Sequence, residues 1–156
     1  MKKLVICLLV FVIGFTACQG PMGPAGKDGK DATETGWFAE NFEIASGHWK
    51  PATESGDGYF FHYWEYEFSV PQITNFVLKE GFVGCYLVQE IEYDGGRKST
   101  VYRPLPYTIY GIDSGFAYSE NYSFELRNGF VKFIVKYSDF DTIKPLTCIF
   151  RIVLIW

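Results

Sequence analysis

The chain has 156 residues, of which 48% are hydrophobic and 21% are charged. This fits one ordinary domain with an appendage, and it excludes a multidomain enzyme, a disordered polymer and a polytopic membrane protein. The 14 Lys and Arg against 18 Asp and Glu give a net charge of −4, which argues against nucleic acid as a partner because that needs a basic face. Aromatic residues make up 19%, and such large side chains suit sheets better than helices.

Residues 1–17 are predicted to be a signal peptide. Lys2 and Lys3 precede a 12-residue apolar run, 4–15, which is too short for a membrane-spanning helix of about 20 residues. The next residues, up to Cys18, form Phe-Thr-Ala-Cys, which resembles the lipobox of bacterial lipoproteins, although that family usually has Leu where Phe15 stands. The resemblance implies cleavage before Cys18 and acylation of its thiol and new amine, since stable anchoring needs more than one acyl chain. The alternative is an ordinary secretory signal with Cys18 as a free or paired thiol.

The residues around the cleavage site also bear on location. Loss of Lys2 and Lys3 leaves 12 basic and 18 acidic residues, a net charge of −6. Gln19, rather than Asp, follows Cys18, and in the enterobacterial version of the pathway this implies the outer membrane. We therefore expect a lipid-anchored protein of the bacterial cell envelope, and the leaflet stays open.

Residues 18–35 are predicted to be a tether that begins with the lipidated cysteine. Glycine recurs at every third position in four triplets, 20–31, and Pro21 and Pro24 follow the first two glycines. This is the collagen pattern, in which glycine fits the axis where three chains meet. Four triplets are few for a triple helix, so an extended polar spacer of about 50 Å is the main interpretation. A trimer that starts from this segment is the alternative, and the oligomeric state stays open.

Residues 36–156 are predicted to form an all-β domain. Residues 59–70 alternate with period two. The even-numbered residues from 60 to 70 form an apolar face, which contains His62 and is expected to face the core. Pro71 ends this strand, 72–79 forms at most one short helical turn, and 82–89 is the next strand. The sequence 93–96, Tyr-Asp-Gly-Gly, is a turn signal.

The C-terminal third gives the clearest strand pattern. Strands at 116–126 and 130–137 flank Asn128-Gly129, a dipeptide that favours a tight hairpin, and Lys132 and Lys136 mark the solvent side. The last strand, 147–156, is apolar on both faces except for its first residue and Arg151, which predicts a central position covered on both faces. Six to eight strands with regular turn signals predict an antiparallel β-sandwich, with a barrel as the alternative.

Together these features resemble the small collagen-like lipoproteins of Bacteroidales-type bacteria, over nearly the full length of the chain. The domain residues that carry the resemblance are Gly36-Trp37, Trp49, the segments 66–74, 105–107 and 137–140, and the closing segment 150–156. The family has no established activity. The resemblance therefore implies envelope location and architecture, and it implies no catalytic residues.

Reactive motifs are scarce. The chain has no metal-ligand spacing such as HxxxH, HExxH or CxxC, no GxSxG elbow and no P-loop, so we expect no metal, no cofactor and no catalysis. His48 and His62 are expected to be structural. Glu65 and Glu67 share one strand face, which a glycosidase would use, but exposed glutamates beside Lys or Arg are the commoner case.

Three further sets of residues allow two interpretations each. Asp139 and Asp141 suit either a calcium ion or a turn cap. Cys85 and Cys148 lie in predicted strands and are either a disulfide or two buried free thiols. The third set consists of aromatic residues near a strand start or on an outward face, which either stack on sugar rings or cover a second packed surface. Its members are Trp37, Trp49, Tyr59, Phe61 and Tyr63.

The sequence therefore predicts a non-catalytic β-sandwich with a structural or interaction role, anchored to the membrane through Cys18. A carbohydrate-binding surface lipoprotein and a trimeric stalk are the alternatives. The expected partners are the membrane and, in the binding case, a glycan or another envelope protein.

Overall fold

The computed structural model describes residues 36–56, 59–138 and 143–156, without the side chains of 56–60 and 113. These residues belong to one compact unit, Thr35–Trp156. The predicted signal peptide, Cys18 and the tether lie outside the described residues, as do Asp139 and Asp141.

The described part of the chain contains nine strands and two short helical segments, so the strand count exceeds the predicted range by one. The α-helix α1 spans Asn75–Glu80, and a 3-10 turn spans Ser46–His48. The strands are β1 Trp37–Ile44, β2 Lys50–Gly56, β3 Tyr59–Ser69, β4 Phe82–Tyr93, β5 Arg97–Pro104, β6 Tyr107–Asp113, β7 Phe116–Arg127, β8 Phe130–Tyr137 and β9 Cys148–Ile155.

The strands form two antiparallel sheets. One has four strands in the order β1-β9-β4-β5, and the other has five in the order β2-β3-β8-β7-β6. Their inner faces pack against each other through one hydrophobic cluster. This confirms the predicted all-β antiparallel sandwich. The alternative of a closed barrel is wrong, because each sheet keeps two free edges.

The core consists of alternate residues from strands of both sheets. Phe150 on β9 stacks on Phe133 of β8, with ring centroids 4.1 Å apart and an interplanar angle of 12°. Trp49 meets the Phe150 ring edge-on at 6.3 Å, and Tyr122 lies 6.4 Å from it. Phe150 therefore contacts aromatic residues from three other segments, which makes it the centre of the core.

Strand β9 occupies the interior of the four-stranded sheet, as predicted. It pairs with β1 over Cys148–Ile155 and with β4 over Ile149–Ile155. Reciprocal backbone hydrogen bonds between Gly36 and Trp156 extend the β1–β9 ladder. The prediction that both of its faces are covered is wrong, because Ile149 and Ile155 are exposed on the side away from the core.

The prediction that His62 faces the core is also wrong. The inward face of β3 is confirmed for Trp64 and Val70, which are buried. His62 is exposed, and its Nδ1 lies 3.4 Å from Thr53 Oγ1. The reason is that β3 pairs with β8 only from Trp64 onward, so its first residues extend past β8 and pair only with the edge strand β2.

Local turns follow the sequence signals closely. The β7–β8 hairpin closes through Asn128 and Gly129, and Gly129 has φ 80°, a value that glycine adopts without strain. Residues 94–96 form the predicted turn between β4 and β5. Helix α1 replaces the predicted short turn, with Thr74 Oγ1 accepting a hydrogen bond from the backbone N–H of Val77. No helix in the described ranges is both long and apolar enough to cross a membrane.

We predict that Phe150→Ala lowers the free energy of unfolding of the Thr35–Trp156 unit by about 3–5 kcal/mol, because it removes a fully buried ring and leaves a cavity. Urea unfolding followed by tryptophan fluorescence measures this. The control is Ile112→Ala on exposed β6, with an expected change within about 0.5–1 kcal/mol. Equal effects of the two substitutions would contradict the proposed core.

Candidate functional site

As predicted, Lys132 and Lys136 lie among charged residues on the outer face of the five-stranded sheet, and this face also exposes Tyr110 and Ile112 of the edge strand β6. Lys132 Nζ lies 2.7 Å from Glu125 and 3.3 Å from Glu65, and the hydrogen bond to Glu125 is the main reason why its pKa is raised. Arg127 binds Glu67 at 2.6 Å. Lys136 donates to Glu54 at 2.8 Å, which lowers the pKa of that carboxyl group. Each of these cations thus has an acidic partner.

The outer face of the four-stranded sheet has an exposed aromatic part, and Glu43, Glu90 and the Glu92–Lys98 pair lie on the same face beyond it. Trp37 is 75% exposed, Phe82 56% and Tyr102 48%, and Ile155 is also exposed. We call this surface the aromatic platform, and it comprises Trp37, Phe82, Tyr86, Tyr102, Arg151, Val153 and Ile155.

Strand register brings the platform residues together. At one end, Ile155 lies opposite Trp37 of β1 and Phe82 of β4. Four residues back along β9, or about 13 Å, Arg151 lies opposite Tyr86. Tyr102 of β5 is the diagonal neighbour of Tyr86, because it pairs with the residue two places further along β4. The platform therefore spans all four strands.

Gly84 lets two platform rings approach each other. It lies between Phe82 and Tyr86 on the same face of β4, and a Cβ at this position would lie 3.0 Å from the Phe82 ring and 3.4 Å from the Tyr86 ring. The glycine thus leaves room for both rings to lean over the strand, and the aromatic surface continues along β4.

Arg151 is the charged residue at the centre of the platform. Its Nη1 donates to Asn41 Oδ1 at 3.1 Å, and its Cζ lies 5.8 Å from the centroid of the Tyr102 ring. It makes no ion pair with any carboxylate of the described residues. Together with Tyr86, Tyr102 and Val153 it lines a shallow depression of about 380 Å³.

The residues predicted to stack on sugars are not gathered in one place. Trp37 lies on the platform. Phe61 lines a depression of about 460 Å³ on the other sheet, beside His62 and the Glu54–Lys136 pair. Lys136 also covers the ring of Tyr63 at 5.2 Å, and the side chain of Tyr59 lies outside the described residues. Glu54 and Lys136 of this second depression form an ion pair with each other, whereas Arg151 makes no ion pair with the described residues.

The prediction that Trp49 is available to stack on a ligand is wrong. Its position after β1 suggested an outward ring, but it is 2% exposed and its Nε1 donates to the backbone oxygen of Leu146 at 3.2 Å. The 3-10 turn before it directs the ring into the core against Phe150. Trp49 therefore cannot stack on a ligand at the surface.

The acidic and histidine candidates are separate from each other. Glu65 and Glu67 are held in ion pairs, in line with the commoner interpretation. His48 is exposed beside the Tyr66 ring at 6.1 Å. In the part of the chain that the structure describes, no three His, Cys, Asp or Glu residues are grouped as metal ligands.

Cys85 and Cys148 are two buried free thiols, which was one of the two interpretations of this pair from the sequence. Cys85 lies opposite Ile152, and Cys148 is four residues from Ile152 along β9, so about 13 Å separates the cysteines. A disulfide needs a Cα separation below about 7 Å, so the other interpretation, a bridge, is wrong. Burial raises the pKa of each thiol to about 12.

Phe82, Tyr86, Tyr102 and Arg151 are site residues that the sequence did not predict. A signal was present in the last strand, where Arg151 is a lone charge among apolar residues. Such a charge in an apolar strand indicates a face that reaches the surface, and Arg151 lies on that face of β9. Comparison with known protein families, with curated proteins and with solved structures finds no match to this chain.

We predict that neither cysteine of the folded Thr35–Trp156 unit reacts with a soluble maleimide at pH 8, because both thiols are buried and stay protonated below their raised pKa. In 6 M guanidinium chloride without reductant, mass spectrometry should find two modified cysteines. Two unmodified cysteines under that condition would indicate a disulfide and contradict the strand register.

Proposed function

We propose that this chain is an envelope lipoprotein whose β-sandwich is a non-catalytic binding module for carbohydrate, with the aromatic platform as its contact surface. The anchor is the lipobox-like cysteine, Cys18, and the spacer is the Gly-X-Y segment that follows it. The resemblance to collagen-like lipoproteins supports this arrangement. The observation that carries the binding role is the exposed aromatic face of the four-stranded sheet.

The platform suits a ligand better than a structural role. A contiguous patch of exposed aromatic and aliphatic side chains on a sheet face is a common sign of a binding surface. Flat rings such as Trp37 and Tyr102 match the apolar C–H faces of sugars, and Asn41 and Arg151 offer hydrogen-bonding groups beside them. By contrast, the outer face of the other sheet has its charges neutralised in pairs.

A hydrolytic role has less support. Glu65 and Glu67, the paired carboxylates in the sequence, are on the opposite sheet from the platform and are bound to Lys132 and Arg127. A glycosidase needs a carboxylic acid and a carboxylate that flank one scissile bond. The platform residues are aromatic or aliphatic apart from the cation Arg151, and none of them carries a carboxylate.

We predict that Cys18→Ser abolishes incorporation of radiolabelled palmitate and moves the chain from the membrane fraction to the soluble fraction of expressing bacterial cells. The matched control is Cys7→Ser, which changes a cysteine in the predicted signal and should leave both readouts as in the wild type. Retention of label and membrane location by the Cys18 variant would contradict the anchor.

We predict that the full chain, purified in detergent, binds at least one saccharide on a glycan array, and that Trp37→Ala or Tyr86→Ala weakens this binding about tenfold or more. The reason is the loss of an apolar ring contact worth about 1.5–3 kcal/mol. Phe61→Ala, an exposed ring on the other sheet, is the matched control and should bind normally. Failure to bind any saccharide, or a loss seen only with Phe61→Ala, would exclude the platform.

A further inference from the structure

We propose that the depression between Tyr86, Tyr102, Arg151 and Val153 is a subsite for a sugar residue that carries a carboxylate, with the Arg151 guanidinium as its anion contact. This inference rests on the proposed carbohydrate-binding function and adds the chemical class of the ligand to it. It is carried by three features of Arg151: its missing acidic partner, its fixed position and its ring neighbours.

The first feature is the missing partner. On the other sheet, Lys132, Lys136 and Arg127 each have a carboxylate within 2.8 Å. Arg151 has none among the described residues, although the chain has more acidic than basic residues. A guanidinium beside aromatic rings attracts an anion, and water in the shallow, open depression screens part of this attraction. Arg151 is therefore available for an ion pair with an anionic ligand.

The second feature is its fixed position. The hydrogen bond to Asn41 at 3.1 Å and the contact with the Tyr102 ring hold the guanidinium from two sides. A guanidinium has five N–H donors, and Asn41 takes one of them. The others remain for a ligand, and a planar fork of donors matches a carboxylate with two parallel hydrogen bonds. Because the side chain is already positioned, binding loses little rotamer entropy.

The third feature concerns the shape of the ligand. Tyr86 and Tyr102 present rings beside the guanidinium, so the ligand needs an apolar face next to its anionic group. A sugar acid has both, since its ring carries C–H faces and its carboxylate is attached directly to the ring. The volume of about 380 Å³ suits one or two sugar residues, and the rest of the platform continues for about 13 Å toward Trp37.

Two other occupants fit less well. A peptide strand gains affinity by pairing with a sheet edge, but β4 and β9 are interior strands whose backbone groups already pair. A second copy of the chain, related by a two-fold axis close to Arg151, would bring this residue toward its own copy, and like charges there repel. An anionic saccharide meets neither difficulty.

The test uses the full chain in detergent and three acidic oligosaccharides, of galacturonate, glucuronate and mannuronate, each with its neutral methyl ester. Esterification removes the charge and keeps the ring. We expect calorimetry to show binding of at least one acid, with its ester about tenfold to a hundredfold weaker. Arg151→Gln should reduce binding of the acid to the level of the ester while leaving the ester unchanged.

Three variants separate recognition from a loss of structure. Arg151→Lys keeps the charge without the planar fork and should bind the acid with intermediate affinity. Asn41→Ala should weaken binding of the acid more than that of the ester, because it frees the guanidinium that it positions. Arg127→Gln changes an arginine on the other sheet and should bind like the wild type.

The outcomes distinguish this inference from the proposed function. Equal binding of acid and ester, or an equal loss of both in Arg151→Gln, would overturn the anionic subsite and leave carbohydrate binding in place. If a sulfate ester of an otherwise neutral oligosaccharide binds more tightly than the uronate oligosaccharides, the carboxylate assignment is overturned. Absence of binding to every saccharide on the array would overturn both proposals. A dimer in light scattering that Arg151→Gln strengthens and Trp37→Ala abolishes would assign the platform to self-association instead.

Discussion

The four-stranded sheet depends on one constraint, the insertion of β9 between β1 and β4. These two strands pair with opposite edges of β9 and make no ladder with each other. The sheet therefore cannot form until the last strand arrives, more than 100 residues after β1. Such non-local pairing closes long loops and is expected to make folding slow relative to a helical domain of this size.

The same strand connects the core with the candidate site. Its inward residues include Phe150, the centre of the aromatic core, and its outward residues include Arg151 and Ile155 of the platform. Because side chains alternate strictly along a strand, a slip of one residue would place Arg151 inside the sandwich and Phe150 outside. The register that buries Phe150 therefore also sets the outward position of Arg151.

The sequence predicted those features that depend on local pattern. Alternation located the inward face of β3 from Trp64 onward and that of β8, and Asn128-Gly129 located the hairpin between β7 and β8. The outward direction of Lys132 and Lys136 followed from the same alternation, and the structure adds their ion pairs. In each case the information lies within a few neighbouring residues, so no knowledge of the other sheet was needed.

The errors have a common physical cause, which is that a local pattern does not record where the second layer ends. His62 continues the inward face of β3, but the strand extends past β8 there and the residue meets solvent. Ile149 and Ile155 look like core residues, but no layer covers that side of β9. Trp49 shows the opposite case, a ring in a connection that fills the core. The Cys85–Cys148 bridge failed for a related reason, because it depends on strand register.

The platform also has to remain soluble while it is exposed. Most of its residues lie on the interior strands β4 and β9, whose backbone groups are already paired, whereas Trp37 and Tyr102 lie on the edge strands β1 and β5. The charge of Arg151 at its centre opposes stacking of two platforms face to face. In the proposed arrangement, many anchored copies share one membrane surface, so a polymeric ligand with repeated acidic sugars would meet several platforms at once. Each contact then needs only modest affinity, since binding at one copy raises the effective concentration of the polymer at the next. A shallow, open site is suited to such binding, whereas a deep pocket would be needed for a single small ligand.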